Sequence, residues 1–168
     1  MSLLDILSMN HPSACKVVAH MVSFWGMIPS IVIDTNVFVS ALLNPFGKSA
    51  AVLELCFQGH YEPIMGTSLF LEYEDVLDRE ALFTRCLLDQ DERQQALNDL
   101  LSISRWVRVY YTWRPNLKDE GDNHVMELAI APPAMAMVTH NIRDFRHADL
   151  SFPEIRTLTP AQFVQEGI

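Results

Sequence analysis

IVIDTNVFVSALL, residues 31–43, decides the reading of this chain. Ile31, Val32 and Ile33 run directly into Asp34-Thr35-Asn36, and a helical pattern begins behind them. A short, wholly apolar run of β-branched residues reads as a strand buried on both faces, as in a parallel sheet. An acid at the carboxyl end of such a strand stands where open α/β sheets put their ligand site. Thr35 or Asn36 can cap the following helix, and Asp34 itself reads equally well as a ligand or as a turn residue or cap. What decides between these readings is whether other acids reach the same place.

Working outward, residues 49–58 read as a helix closed by Gly59, and residues 61–65 as a second strand. Gly66-Thr67-Ser68 offers a cap for a helix over residues 69–79, whose Leu69, Phe70, Tyr73, Val76 and Leu77 share one face. At about 100° per residue, Glu72 and Glu74 flank that face on opposite sides, and periodicity does not choose between them. Residues 80–86 continue helically, Asp89 caps a helix over residues 91–103, and residues 106–110 alternate as a strand. Asp122 or Asn123 then caps an apolar helix closed by Pro132-Pro133; an Asp at this position serves as a cap or as a ligand at a sheet mouth. Residues 134–139 form a short buried strand followed by His140-Asn141-Ile142-Arg143-Asp144, and residues 155–158 a last strand. Thr159 and Pro160 open the final helix.

This alternation predicts an α/β domain, a three-layer α/β/α sandwich with a mainly parallel central sheet. In it, Asp34, Asp122 and the segment 141–144 fall at one mouth, and the acidic helix starts from the same edge. Hard oxygen donors gathered there suit Mg²⁺ or Mn²⁺, and metal-activated water attacking a phosphodiester is the chemistry they favour.

The totals narrow the classes further. The chain has 168 residues, 49% of them apolar, enough for one domain with a real core. A formal charge of −9 argues against nucleic-acid binding through net charge alone. Cys15, Cys56 and Cys86 make neither a zinc spacing nor an even disulfide set, which fits a reducing cytoplasm. No apolar run approaches the roughly 20 residues of a membrane span. Residues 1–26 do not share the pattern of the rest and read as an extension, with the core domain starting at Met27. The P-loop, dinucleotide and nucleophile-elbow motifs are absent, as is an H-x-x-x-H zinc pair.

The same segments carry a resemblance. IVIDTNVFVSALL, SLFLEYEDVL, KDEGDNHVMELAIA, VTHNIRDF and LTPAQFV, in that order, are similar to the successive motifs of PIN-domain proteins, in particular the VapC-type ribonucleases of toxin–antitoxin pairs. The likeness covers about residues 28–165. It implies Asp34, Glu72 and Asp122 as metal-binding acids, choosing Glu72 where periodicity left a tie. It implies Asn36 and Thr139 as orienting groups and Asp119 as an assistant. Many relatives carry Asp at the position of Asn141 with another at Asp144, so the second metal position departs from the family pattern.

The implied activity is Mg²⁺- or Mn²⁺-dependent RNA hydrolysis, the implied partners a small antitoxin and a second copy of the chain. Lys48, Lys118, Arg143 and Arg146 are placed to touch phosphates or to be ordinary solvated surface. Two other readings stand beside it: a non-catalytic PIN-fold binding module, and a phosphohydrolase with Asp34 as nucleophile. The latter typically needs a second acid two residues on, where this chain has Asn36.

Overall fold

The structure is a computed structural model that describes residues 28–109, 123–130, 134–143 and 155–167. Five parallel strands form one sheet in the order β3-β2-β1-β4-β5: β1 Ser30–Ile33, β2 Glu62–Met65, β3 Arg105–Trp106, β4 Ala136–Val138 and β5 Arg156–Leu158. The helices are α1 Thr35–Leu43, α2 Lys48–Phe57, α3 Thr67–Leu77, α4 Gln90–Ser102, α5 Asn123–Ile130 and α6 Pro160–Glu166, with a 3₁₀ turn at Glu80–Phe83. The expected α/β sandwich around a parallel sheet is therefore the fold of this chain.

The strand order explains the layers. From β1 the chain steps to β2 and β3 in one direction, then returns past β1 to β4 and β5. Right-handed crossovers place helices of the outward and return journeys on opposite faces of the sheet. Accordingly α1 packs on α2 and α3, and α3 on α4, while α5 lies against β1, β2 and β4. The reversal occurs between β1 and β4, whose register is Ile31 to Ala136, Val32 to Met137 and Ile33 to Val138. Such a reversal opens a crevice at the carboxyl ends of the two strands.

Local sequence sets most element ends. Asp89 and Glu92 make a reciprocal capping box on α4, and Thr159 and Gln162 make another on α6, where Pro160 occupies the first turn. Gly59, at φ +77°, ends α2 in the left-handed region that a side chain would disfavour. The core is continuous and includes Val32, Ile33, Phe38, Leu53, Tyr73, Met137 and Phe163, all at most 2% exposed. Of the predicted face of α3, Leu69, Tyr73 and Leu77 are buried, while Phe70 and Val76 are partly covered.

Four expectations need correction. The cap of α1 is Asp34, neither Thr35 nor Asn36, because the helix begins at Thr35. The cap of α3 is Gly66, which has no side chain to donate; a Cβ there would lie 2.9 Å from Leu128 Cδ1, so close packing on α5 governs this position. The helix expected over residues 80–86 is a single 3₁₀ turn, entered through Arg79 at φ −82° and ψ 76°, outside helical space. Of the strand expected over residues 106–110, the described part is Arg105–Trp106; Val107 N still donates to Met65 O at 2.8 Å, but Val107, Arg108 and Val109 make no further ladder among the described residues, and Tyr110 lies outside them.

Candidate active site

Asp34 ends β1, and its amide donates to Val138 O at 3.0 Å, tying it to β4 before α1 begins. Its carboxyl group is 5% exposed. Oδ2 accepts from Asn36 Nδ2 at 2.7 Å and from Thr139 Oγ1 at 2.5 Å. Among the described residues, Oδ1 receives only the long 3.5 Å contact from the Asn36 amide that caps α1. Asp34 is thus a cap, and it also keeps one lightly engaged oxygen. Burial pushes its pKa up; bonds from Thr139 and the Asn36 amide oppose this, and the negative charge of Glu72 adds to the rise.

Thr139 is fully buried just beyond β4. Besides donating to Asp34, its hydroxyl accepts from Asn36 Nδ2 at 3.3 Å and from the Asn141 amide at 2.9 Å, which uses its single proton and both lone pairs. Asn36 completes the network by accepting the His140 amide at 3.1 Å on Oδ1. On its other side His140 meets Ser49 of α2, with Nε2 3.0 Å from Oγ. The turn after β4 is therefore fastened to both α1 and α2.

Glu72 comes to the same place from α3. Tyr73, stacked on Phe38 at 4.9 Å, donates its hydroxyl to Ile33 O at 2.8 Å and so pins α3 to the residue preceding Asp34. Its hydroxyl proton is held well above the ordinary range, chiefly by burial and then by the charges of Asp34 and Glu72. Glu72 Oε2 lies 2.7 Å from His124 Nε2 on the first turn of α5, a pairing that is ionic when the imidazole is protonated. Glu74 does not line the shared cavity, so geometry separates the two glutamates that periodicity left equivalent.

A cavity of about 450 Å³ joins these groups. Asp34, Asn36, Glu72 and the exposed Asn141 line it, together with an aliphatic wall of Val39, Leu43, Val76 and Leu82. Thr35 lines it too; this residue is 3% exposed and its Oγ1 has no hydrogen-bond partner among the described residues. Sequence reading gave Thr35 only a capping role. Its DTN context, one residue beyond the key acid, was the available signal.

Asp119, Asp122 and Asp144 lie outside the described residues, as do Lys118 and Arg146. Lys48 and Arg143 are exposed and do not line the cavity. Among the described residues, no three His, Cys, Asp or Glu side chains converge. The donor set still suits a divalent cation: two carboxylates share one cavity, the charge of Glu72 adds to the cost of ionising Asp34, and no Lys or Arg is among its described lining residues. A second cavity, about 290 Å³, opens beyond His124 between the first turn of α3, Arg108 and the buried Glu127 of α5.

A parallel α/β sandwich with an acid-lined cavity at its topological switch point marks a ligand site but does not by itself define an activity. The family is given by comparison: a PIN domain model matches residues 30–143, well over half the chain. The chain belongs to the PIN domain family. Its fold is similar to one in a crystal structure of VapBC2 from Rickettsia felis bound to a DNA fragment from their promoter, with a TM-score of 0.53 and 17% identity over 77% of this chain and 98% of the other. No curated protein matches the chain.

Proposed function

We propose that this chain is a metal-dependent endoribonuclease that hydrolyses RNA phosphodiester bonds and acts as the toxin of a toxin–antitoxin pair. The observation that carries the reading is the meeting of Asp34 and Glu72 in one cavity at the switch point. PIN-family membership supports a nuclease, and the VapBC2 likeness agrees with an antitoxin partner. A cytoplasmic location and a homodimer belong to the same proposal.

Asp34, Glu72 and Asp122 are the residues that would hold Mg²⁺ or Mn²⁺. The ion, when bound, supplies charge neutralisation at the scissile phosphate and a water of lowered pKa. The protein's part is positioning. Thr139 and Asn36 fix Oδ2 of Asp34, leaving Oδ1 for a cation. Tyr73 fixes the approach of α3, and His124 orients Glu72. Asp122 stands two residues before His124 in the chain, with Asp119 upstream of it as an assistant. Asn141 contributes a neutral oxygen donor where many relatives have an acid, and Asp144 acts from further along that segment.

The phosphohydrolase alternative loses ground at Asn36. Its amide nitrogen is committed to Asp34 and Thr139 and its oxygen to His140 N, so it has no proton to give a leaving group. The test is cleavage of RNA with Mn²⁺ or Mg²⁺ by the full chain and by Asp34→Asn and Asp122→Asn. Loss of at least 100-fold in both variants is expected, and undiminished cleavage in both rejects the assignment. A chain that shows no Mn²⁺ binding in calorimetry yet keeps its partner binding would favour the binding-module reading.

A further inference from the structure

The acids account for only part of the cavity they line. Val39 and Leu43 follow Asp34 along α1, and Val76 stands one turn beyond Glu72 on α3 at i, i+4 spacing, so both acids give way to aliphatic side chains on the same cavity. Leu82 of the 3₁₀ turn completes this wall. Leu43 and Leu82 are 39% and 46% exposed, a cost in water-facing apolar surface that the fold itself does not require. Ser40 and Asn44 bring uncharged polar groups to the same lining.

A strand of RNA approaching this cavity meets a chain of charge −9 and, among the described lining residues, no Lys or Arg. The described lining residues thus supply none of the counterion release that usually gives affinity for a phosphate backbone. Single-stranded RNA offers another handle, its unstacked bases, which bury apolar faces and present hydrogen-bonding edges. The spacing suits this: about one helical turn, ~5–8 Å, separates Glu72 from Val76 and Asp34 from Val39, comparable to the reach from a phosphate through its ribose to the base, and Leu43 extends the wall by a further turn.

Building on the ribonuclease reading for its substrate class, we propose that the wall of Val39, Leu43, Val76 and Leu82 is a nucleobase subsite. It seats the base next to the scissile phosphate, and Ser40 and Asn44 meet the edge of that base. The base then contributes its own grip on the substrate at this wall.

The experiment uses the full chain with ¹³C-labelled methyl groups and Mg²⁺. The four ribonucleoside 5′-monophosphates are titrated in to millimolar concentration, and ribose 5-phosphate, which carries the same phosphate without a base, serves as the comparison. Nucleotides are expected to shift the methyl signals of Leu43, Val76 and Leu82, and ribose 5-phosphate to leave them in place. In the Leu43→Ala, Leu82→Ala double variant, KM for a short oligoribonucleotide should rise about tenfold with kcat nearly kept. Both leucines are partly exposed, so an unchanged melting temperature certifies the variant.

Methyl signals that no nucleotide moves overturn the proposal and leave the wall to a protein partner, even if the chain cuts RNA. Methyl shifts in a chain that cuts no RNA retain the subsite and reject the ribonuclease activity instead.

Discussion

Thr139 donates a 2.5 Å hydrogen bond to Asp34 across the β1–β4 pair, joining residues 105 positions apart in sequence. Both are buried, and the hydroxyl has every hydrogen-bonding position filled. Replacing it by Val keeps the shape and removes the bonds. Thr139→Val should destabilise the fold by ~1–3 kcal/mol, because a buried carboxyl group loses a donor. Thr139→Ser should recover most of that loss, as read by urea unfolding. Equal stability of wild type and Thr139→Val would remove the hydroxyl from the account.

The electrostatics of Asp34 give a pH dependence with a definite sign. Burial raises its folded pKa above the ordinary 3.8, so between the unfolded and folded values the native state binds more protons. The contribution of this group to stability is therefore full below 3.8 and is lost as pH rises through the folded value. Asp34→Asn should melt higher than wild type at neutral pH without divalent ions, with the gap closing as pH falls toward 4. Adding Mn²⁺ should raise the melting temperature of wild type and leave the variant unmoved. A variant that melts lower at neutral pH would reject the sign.

The two glutamates of α3 separate cleanly by geometry. Glu72 lines the cavity with Asp34 and pairs with His124, whereas Glu74 does neither. Glu72→Gln should lower RNA cleavage at least 100-fold and weaken Mn²⁺ binding in calorimetry. Glu74→Gln should do neither. The reverse outcome would shift the metal-binding role to Glu74.

The PIN match begins at residue 30 and β1 at Ser30. We expect a chain lacking residues 1–26 to fold with a cooperative thermal transition and the same helix-rich circular dichroism. An insoluble or non-cooperative product would make those residues part of the core.

Much of this was legible because it is written in local pattern. The run Ile31-Val32-Ile33 announces a buried parallel strand, and Thr159-Pro160 announces the start of α6. What escaped depends on tertiary contact. Arg93 lies on the apolar face of α4, 3% exposed, where a pattern reader expects hydrocarbon. It donates to Leu88 O at 3.1 Å, pairs with Glu80 and covers the Phe83 ring at 4.5 Å. Periodicity left Glu72 and Glu74 tied and only the family resemblance chose Glu72; Tyr73's bond to Ile33 O, which pins the helix carrying it, is a contact across 40 residues. Gly66 read as part of a capping signal and does cap α3, but the room it leaves for Leu128 had no counterpart in the pattern. The burial of Glu127 on α5 had no counterpart in the sequence pattern.

The reversal of strand order between β1 and β4 has a consequence for synthesis. Asp34 and its cap form early, but Thr139 and the strand that carries it emerge from the ribosome 105 residues later. Until β4 slots in beside β1, Asp34 lacks both its backbone tie to Val138 and its hydroxyl donor. A nascent or prematurely terminated chain thus lacks two of the contacts that set this carboxylate. On the proposed activity, the carboxylate at its centre is not held in place until β4 has been made and paired with β1.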